Sequence, residues 1–315
     1  MSEESAPISA AATLWRQWRA LGQKVSPILL NPSLCENFVQ EVSECAATVM
    51  QLVRQDPDLA IFEVVHLSPI KMSQYGVVHS LHTAVLVCLV GRRKDWPDQR
   101  VAIAVKAAMT MNLSITELQT ILARQESPLT PEQRLAIDCH PLDSWQILRR
   151  MGVTDDEWLR AVAQHHEQPD GKGYPQGLTE MSQIADAVRT CDVFGAKMSP
   201  RASRTAMLST RAAAEIFRQR SAGYFGATVI RELGLYPPGC LVRLSTGEAA
   251  LVMKRSRDPL CPEVALLTDD AGQPLRKPVR SPTGASYGRS VLGAAADSDL
   301  AMLFNPEELF AAGTE

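Results

Sequence analysis

Residues 163–178, Ala-Gln-His-His-Glu-Gln-Pro-Asp-Gly-Lys-Gly-Tyr-Pro-Gln-Gly-Leu, hold the densest chemistry in the chain. His165 and His166 are adjacent imidazoles, the side chain most often used to ligate a transition metal. Glu167 follows, and then Asp170-Gly171-Lys172-Gly173-Tyr174-Pro175, a loop that must turn sharply on its glycines and is stiffened by proline. The combination points to a metal centre with a shaped wall. Only four other histidines are available to join it: His66, His79, His82 and His140. The seven cysteines are scattered without CxxC spacing, which points to reduced, mostly buried thiols rather than a zinc or disulfide framework.

The elements that must position these groups read as helices. Apolar residues recur at helical spacing over 12–24 and 35–54, and again over 75–91, 98–113, 130–151, 155–167, 181–197, 205–220 and 223–233. Thr130-Pro131 supplies a cap and an N1 proline, and the acids at 155–157 suit a helix N-terminus. Short loops between such helices imply a bundle, so the chemistry should arise where helices face one another. After Leu235-Tyr236-Pro237-Pro238-Gly239 the pattern changes. Residues 240–244 and 249–254 read as a hairpin and 263–267 as a third strand.

The chain is thus expected to divide into an N-terminal helical segment (1–57), a helical domain (58–234), a small β appendage (235–268) and a flexible tail (269–315). The first helices read as a cap on the domain that follows, or as a sensory or partner-binding segment. The apolar run 300–310 should dock on the bundle itself or on a partner. A net charge of −3 and an aromatic content of 5% argue against DNA or RNA as a partner. With no apolar run near the ~20 residues of a spanning helix and no signal-peptide order at Met-Ser-Glu-Glu, the expected location is cytoplasmic, without a membrane span.

The run from His165 to Pro175 resembles the signature of the HD-GYP family, metal-dependent phosphodiesterases of cyclic di-GMP. The resemblance covers residues 58–268 and implies an all-α HD-domain bundle with a small C-terminal β appendage. It implies metal ligands at His79, in His79-Ser80-Leu81-His82-Thr83; at His140, in His140-Pro141-Leu142-Asp143; at His165 and His166; and at Asp192, in Cys191-Asp192-Val193-Phe194-Gly195. His66 and His82 fall outside that set and read as structural. The resemblance also places Asp170, Gly173, Tyr174 and Pro175 in the pocket wall and Arg201 and Arg204 on the phosphates of the nucleotide. An arginine fork suits a phosphodiester. In the family the same loop is linked to docking on diguanylate cyclases.

One part of the resemblance fails. The family's His-Asp pair, followed by a lysine, should fall near residue 111, where the chain reads Met111-Asn112-Leu113-Ser114-Ile115. No histidine, aspartate or glutamate lies between Asp98 and Glu117 to shift into register. The catalytic positions are therefore degenerate at Met111, Asn112 and Ile115, and no catalytic residue is assigned. Two dications roughly 3.5–4 Å apart repel by about 18 kcal/mol at an effective dielectric of about 20, and bridging anions offset that repulsion. Asn112 is neutral and Met111 a soft thioether, poorly matched to Mn²⁺ or Fe²⁺. The expectation is one ion (Fe, Mn or Zn) rather than two, held by His140, His165 and His166, with the half-site of His79 and Asp192 weak or empty. The protein is then a weak or inactive relative that acts as a nucleotide binder or partner regulator. The alternative is an active cyclic di-GMP phosphodiesterase with a mononuclear or rebuilt site, for which Glu167, Asp170 and Asp138 are the nearest carboxylates.

Overall fold

The computed structural model describes residues 10–66, 73–199, 211–212, 215, 224–295 and 298–312. Several of its helices begin where a side chain satisfies their first N–H groups. α1 (Ala10–Leu30) is followed by α2 (Phe38–Gln55), capped by Asn37 accepting from the Gln40 N–H. α3 (Pro57–Val65) starts at once, because Asp56 accepts from the N–H groups of Asp58 and Leu59 and Pro57 sits where no donor is needed. α4 (Tyr75–Arg93) and α5 (Asp98–Thr110) come next, then a 3-10 turn at Leu113–Ile115 and α6 (Thr116–Arg124). α7 (Pro131–Arg150) opens on a reciprocal cap between Thr130 and Gln133, α8 (Asp156–Gln164) on the Asp155 carboxylate, and α9 (Gln183–Met198) on the Ser182 hydroxyl. α10 (Gly226–Leu233) ends at Gly234, whose φ of +77° suits glycine.

The bundle is built around α4. Only Val78, Arg92 and Arg93 of this helix escape burial, and it packs against α1, α2, α3, α5, α6, α9 and α10. A helix apolar on every side must be a core helix. By length and composition Tyr75–Arg93 and Asp98–Arg124 could cross a membrane, contrary to the sequence expectation, but 89% and 67% of their most apolar windows are buried inside the bundle. Close approach at the start of α4 is set by Gly76. A Cβ there would lie 2.0 Å from the Thr116 carbonyl oxygen. The Gly76 N–H donates to Thr120 Oγ1 at 3.0 Å, which ties α4 to α6.

The N-terminal helices share the main core through Trp15, Trp18, Val42 and Val49. α1 runs past the expected end at Lys24, through Pro27, because Val25, Ile28 and Leu29 continue its buried stripe. α3 and α6 are helices that the periodicity did not indicate. α6 buries only Thr116 and Ala123, too little to produce an apolar repeat. The expected helix at 205–220 lies almost wholly outside the described residues.

The appendage has five strands rather than three: β1 (Leu241–Leu244), β2 (Ala249–Lys254), β3 (Glu263–Thr268), β4 (Pro274–Pro282) and β5 (Val291–Ala294), antiparallel in the order β4-β3-β2-β1-β5. The expectation of a flexible tail beyond residue 269 is corrected here. Proline, which conceals a strand pattern, is tolerated at sheet edges, and β4 and β5 are the two edges. The chain closes with α11 (Ser298–Ala301) and α12 (Pro306–Ala311). The Phe310 ring lies 5.8 Å from Trp15 and 4.9 Å from Phe62, and Glu307 pairs with Arg16 at 3.1 Å, so this end docks on the chain's own core.

Two glycines test the packing. Gly76→Ala forces α4 away from Thr116 and is expected to cost more than about 2 kcal/mol in urea unfolding. Gly22→Ala in α1, where nothing lies within 4 Å of the new methyl, is expected to stabilise by roughly 0.5–1 kcal/mol. Equal effects would contradict the close contact.

Candidate metal centre

α7 carries His140, and His165 and His166 stand in the turn directly after α8. α8 is held in place from its first turn by Trp158, whose Nε1–H donates to Thr110 Oγ1 at the last residue of α5, 2.8 Å away. Each of the first two imidazoles faces a backbone carbonyl. His140 Nδ1–H donates to the Ile137 oxygen at 2.5 Å and His165 Nδ1–H to the Val162 oxygen at 2.7 Å. A carbonyl only accepts, so both rings carry their proton on Nδ1 and present a bare Nε2. Those two Nε2 atoms lie 3.0 Å apart. With His166 they form a cluster whose ligand atoms all lie within 4.8 Å of one another.

Two lone pairs this close need a cation between them. A proton is a poor choice: burial drives His140 down to about 3, with the neighbouring His165 adding to it. Burial likewise lowers His165, and His166 well below its ordinary value. Rings kept neutral, with Nδ1–H anchored to a carbonyl, are the arrangement by which histidine binds a metal. The three residues fit a divalent transition ion.

The following loop is clamped by Glu167. This fully buried carboxylate accepts from the N–H groups of Gln176 and Leu178, both at 2.8 Å. Gly173 passes so close that a Cβ would fall 2.4 Å from the Glu167 Cα. Tyr174 then stacks on His166, ring centroids 4.5 Å apart, and its peptide to Pro175 is cis. Burial pushes the Tyr174 phenol up, with the charges of Asp192 and Asp138 adding to it, so it stays protonated. Asp170 is exposed and accepts from the Lys172 N–H at the loop tip.

His79 and Asp192 meet across α4 and α9. His79 Nε2 and Asp192 Oδ1 are 2.6 Å apart, and Tyr75 stacks on the His79 ring. Burial alone would raise the Asp192 carboxyl, but the His79 hydrogen bond and the surrounding imidazoles outweigh it and hold the group below the usual carboxylate range. Asp192 in turn acts electrostatically on His140, His165 and His166, so the pair borders the cluster.

Met111, Asn112 and Ile115 are buried where α5 turns into α6, and Asn112 Nδ2 finds no hydrogen-bond partner among the described residues. His66 stacks on Phe62 and His82 lies within α4, both apart from the cluster. Arg201 and Arg204 lie outside the described residues. Ser114 was not singled out by the sequence. Its hydroxyl donates to the His140 carbonyl at 3.2 Å and pairs with Ser144 at 3.0 Å, tying the turn after Asn112 to the helix of the first imidazole. Nor did spacing reveal Glu167 as a loop clamp. An acid directly before a glycine-rich turn was the available signal.

The buried imidazoles make stability depend on pH. Unfolded, each takes a proton near its ordinary value of 6.5, while in the fold it stays neutral to lower pH. The unfolded chain therefore binds more protons below that value, and stability falls as pH falls. Asp192 works only near and below its ordinary value of 3.8, so the window from pH 7 to 5 reports the histidines. The metal-free protein is expected to lose up to about 1.4 kcal/mol per pH unit for each ring that remains neutral below about pH 6. Urea midpoints that do not change between pH 7 and 5 would contradict this.

Comparison with known proteins agrees with the geometry. The sequence profile described as "HD domain" matches residues 64–229, more than half of the chain. The cyclic di-GMP phosphodiesterase PA4108 of Pseudomonas aeruginosa is 28% identical over 200 residues, 61% of this chain and 47% of that protein. The 3'3'-cGAMP-specific phosphodiesterase 3 of Vibrio cholerae is 27% identical over 43% of this chain and 30% of its own. The chain thus spans less than half the length of these curated relatives. Among solved structures, Bd1817, an HDG"Y"P protein from Bdellovibrio bacteriovorus, shares the fold with a TM-score of 0.56 over 70% of each chain at 13% identity. The chain belongs to the HD-domain family, and within it to the HD-GYP proteins.

Proposed function

We propose that this is a cyclic-dinucleotide-binding HD-GYP protein with one metal ion on His140, His165 and His166, and with little or no hydrolytic activity. The observation that carries the reading is the neutral, buried Asn112 at the position where the resemblance expects an aspartate between two ions. A neutral amide cannot bridge two dications, and the remaining carboxylate, Asp192, lies 2.6 Å from the His79 imidazole. Two of the three candidate replacement carboxylates are engaged elsewhere: Glu167 in holding the loop and Asp170 at its exposed tip. Asp138 is half-buried, and its charge acts on Tyr174.

The bound ion would supply Lewis acidity toward a phosphoryl oxygen and a water of lowered pKa. The chain's own residues do the rest. Ile137 and Val162 hold the two imidazoles in register, and Glu167 keeps the loop folded over them. Tyr174 offers an aromatic face beside the cluster, and Asp170, Gly173 and Pro175 shape the wall for a cyclic di-GMP or related dinucleotide. Arg201 and Arg204 would grip its phosphates. The exposed loop tip at Asp170 and Lys172 is the surface for a diguanylate cyclase partner, and the setting is cytoplasmic.

The complete histidine cluster favours a second reading, slow hydrolysis to pGpG by a mononuclear centre. The relatives widen the substrate test to 3'3'-cGAMP. Purified protein supplied separately with Mn²⁺, Fe²⁺ or Zn²⁺ under anaerobic conditions is expected to bind cyclic di-GMP and leave it intact. Arg201→Ala should weaken that binding by roughly tenfold or more, the loss of a charge-assisted contact. Turnover that disappears in His165→Ala would establish the second reading instead, and absence of binding to either dinucleotide would overturn both.

A further inference from the structure

His140 sits in the interior of α7, directly before Pro141, which is also buried. In an uninterrupted helix the Ile137 carbonyl would accept from the N–H of residue 141. Proline has none, and its ring pushes that carbonyl off the helix axis. The vacated oxygen is the one that takes His140 Nδ1–H, three residues on, at 2.5 Å. At the second ligand the same i to i−3 bond recurs with a different source of free carbonyl. α8 ends at Gln164, and Val162 lies in its last turn, where carbonyls run out of backbone donors. His140 has no helix end to exploit.

We propose that Pro141 is a positioning residue for the metal centre: it frees the Ile137 carbonyl for His140 Nδ1–H and so keeps the bare Nε2 of His140 turned toward His165. The inference rests on the reading of the cluster as a metal site, but its first consequence concerns the metal-free protein. Ser114 completes the arrangement by holding the His140 carbonyl, so the residue is fixed at both its side chain and its backbone. A proline in a helix interior is ordinarily destabilising. The role therefore predicts opposite signs for stability and for metal binding.

Pro141→Ala returns a donor to Ile137. Thermal unfolding of the metal-free variant should shift upward, as the helix gains a hydrogen bond. Long-range ¹H–¹⁵N correlation should show His140 moving from the Nδ1–H tautomer toward Nε2–H. Zinc affinity, measured by competition with a chelator, should fall by roughly ten- to a hundredfold, the usual loss when an outer-shell partner of a metal-bound imidazole is removed. Pro131→Ala, at the first helical position where no helix acceptor is affected, serves as the control and should leave tautomer and affinity unchanged. An unchanged His140 tautomer or an unchanged zinc affinity in Pro141→Ala overturns the proposal. A wild-type protein that takes up no zinc would count against the metal reading alone, since the tautomer comparison still decides the role of Pro141.

Discussion

Buried imidazoles must be kept neutral and in one tautomer if their lone pairs are to converge, and much of this structure follows from that requirement. Burial alone achieves the first condition, lowering His140, His165 and His166 together. The second needs acceptors that the helices themselves supply, the carbonyls of Ile137 and Val162. Because those carbonyls belong to α7 and α8, the cluster is only as precise as the packing of α8 on α5 and of α7 on the turn after α5, which Trp158 and the Ser114–Ser144 contact secure. The whole assembly rests on α4, a helix with almost no exposed residue.

The same physics accounts for the contact between His79 and Asp192 that borders the cluster. A carboxylate beside buried imidazoles needs a cationic or hydrogen-bonded partner, and Asp192 finds one in His79. Met111 is part of the core, while Asn112 is buried with its amide nitrogen unpartnered among the described residues. Such an orphaned group is costly, on the order of 1–3 kcal/mol. Ser114 ties this altered turn to His140.

The bundle and the site were legible in the sequence to different degrees. Helices with strong apolar repeats or capping residues, such as α4 and α7, were evident, because burial on one stripe or on all sides leaves a pattern. α6 was hidden because it buries little, β4 because an edge strand tolerates proline, and β5 because it is short and broken by a glycine. The histidine cluster followed from the motif, since ligand types are a property of residues. What no spacing could reveal were contacts that depend on backbone atoms: the Glu167 clamp on two N–H groups and the carbonyls of Ile137 and Val162 that orient the imidazoles.

The central claim is that this centre holds one ion where a bridging carboxylate would allow two. Native mass spectrometry of the purified chain, loaded in turn with Mn²⁺, Fe²⁺ and Zn²⁺ and compared with His140→Ala, tests it directly. The account predicts one tightly held ion per chain, absent from the variant. Two ions per chain in the wild type would contradict it.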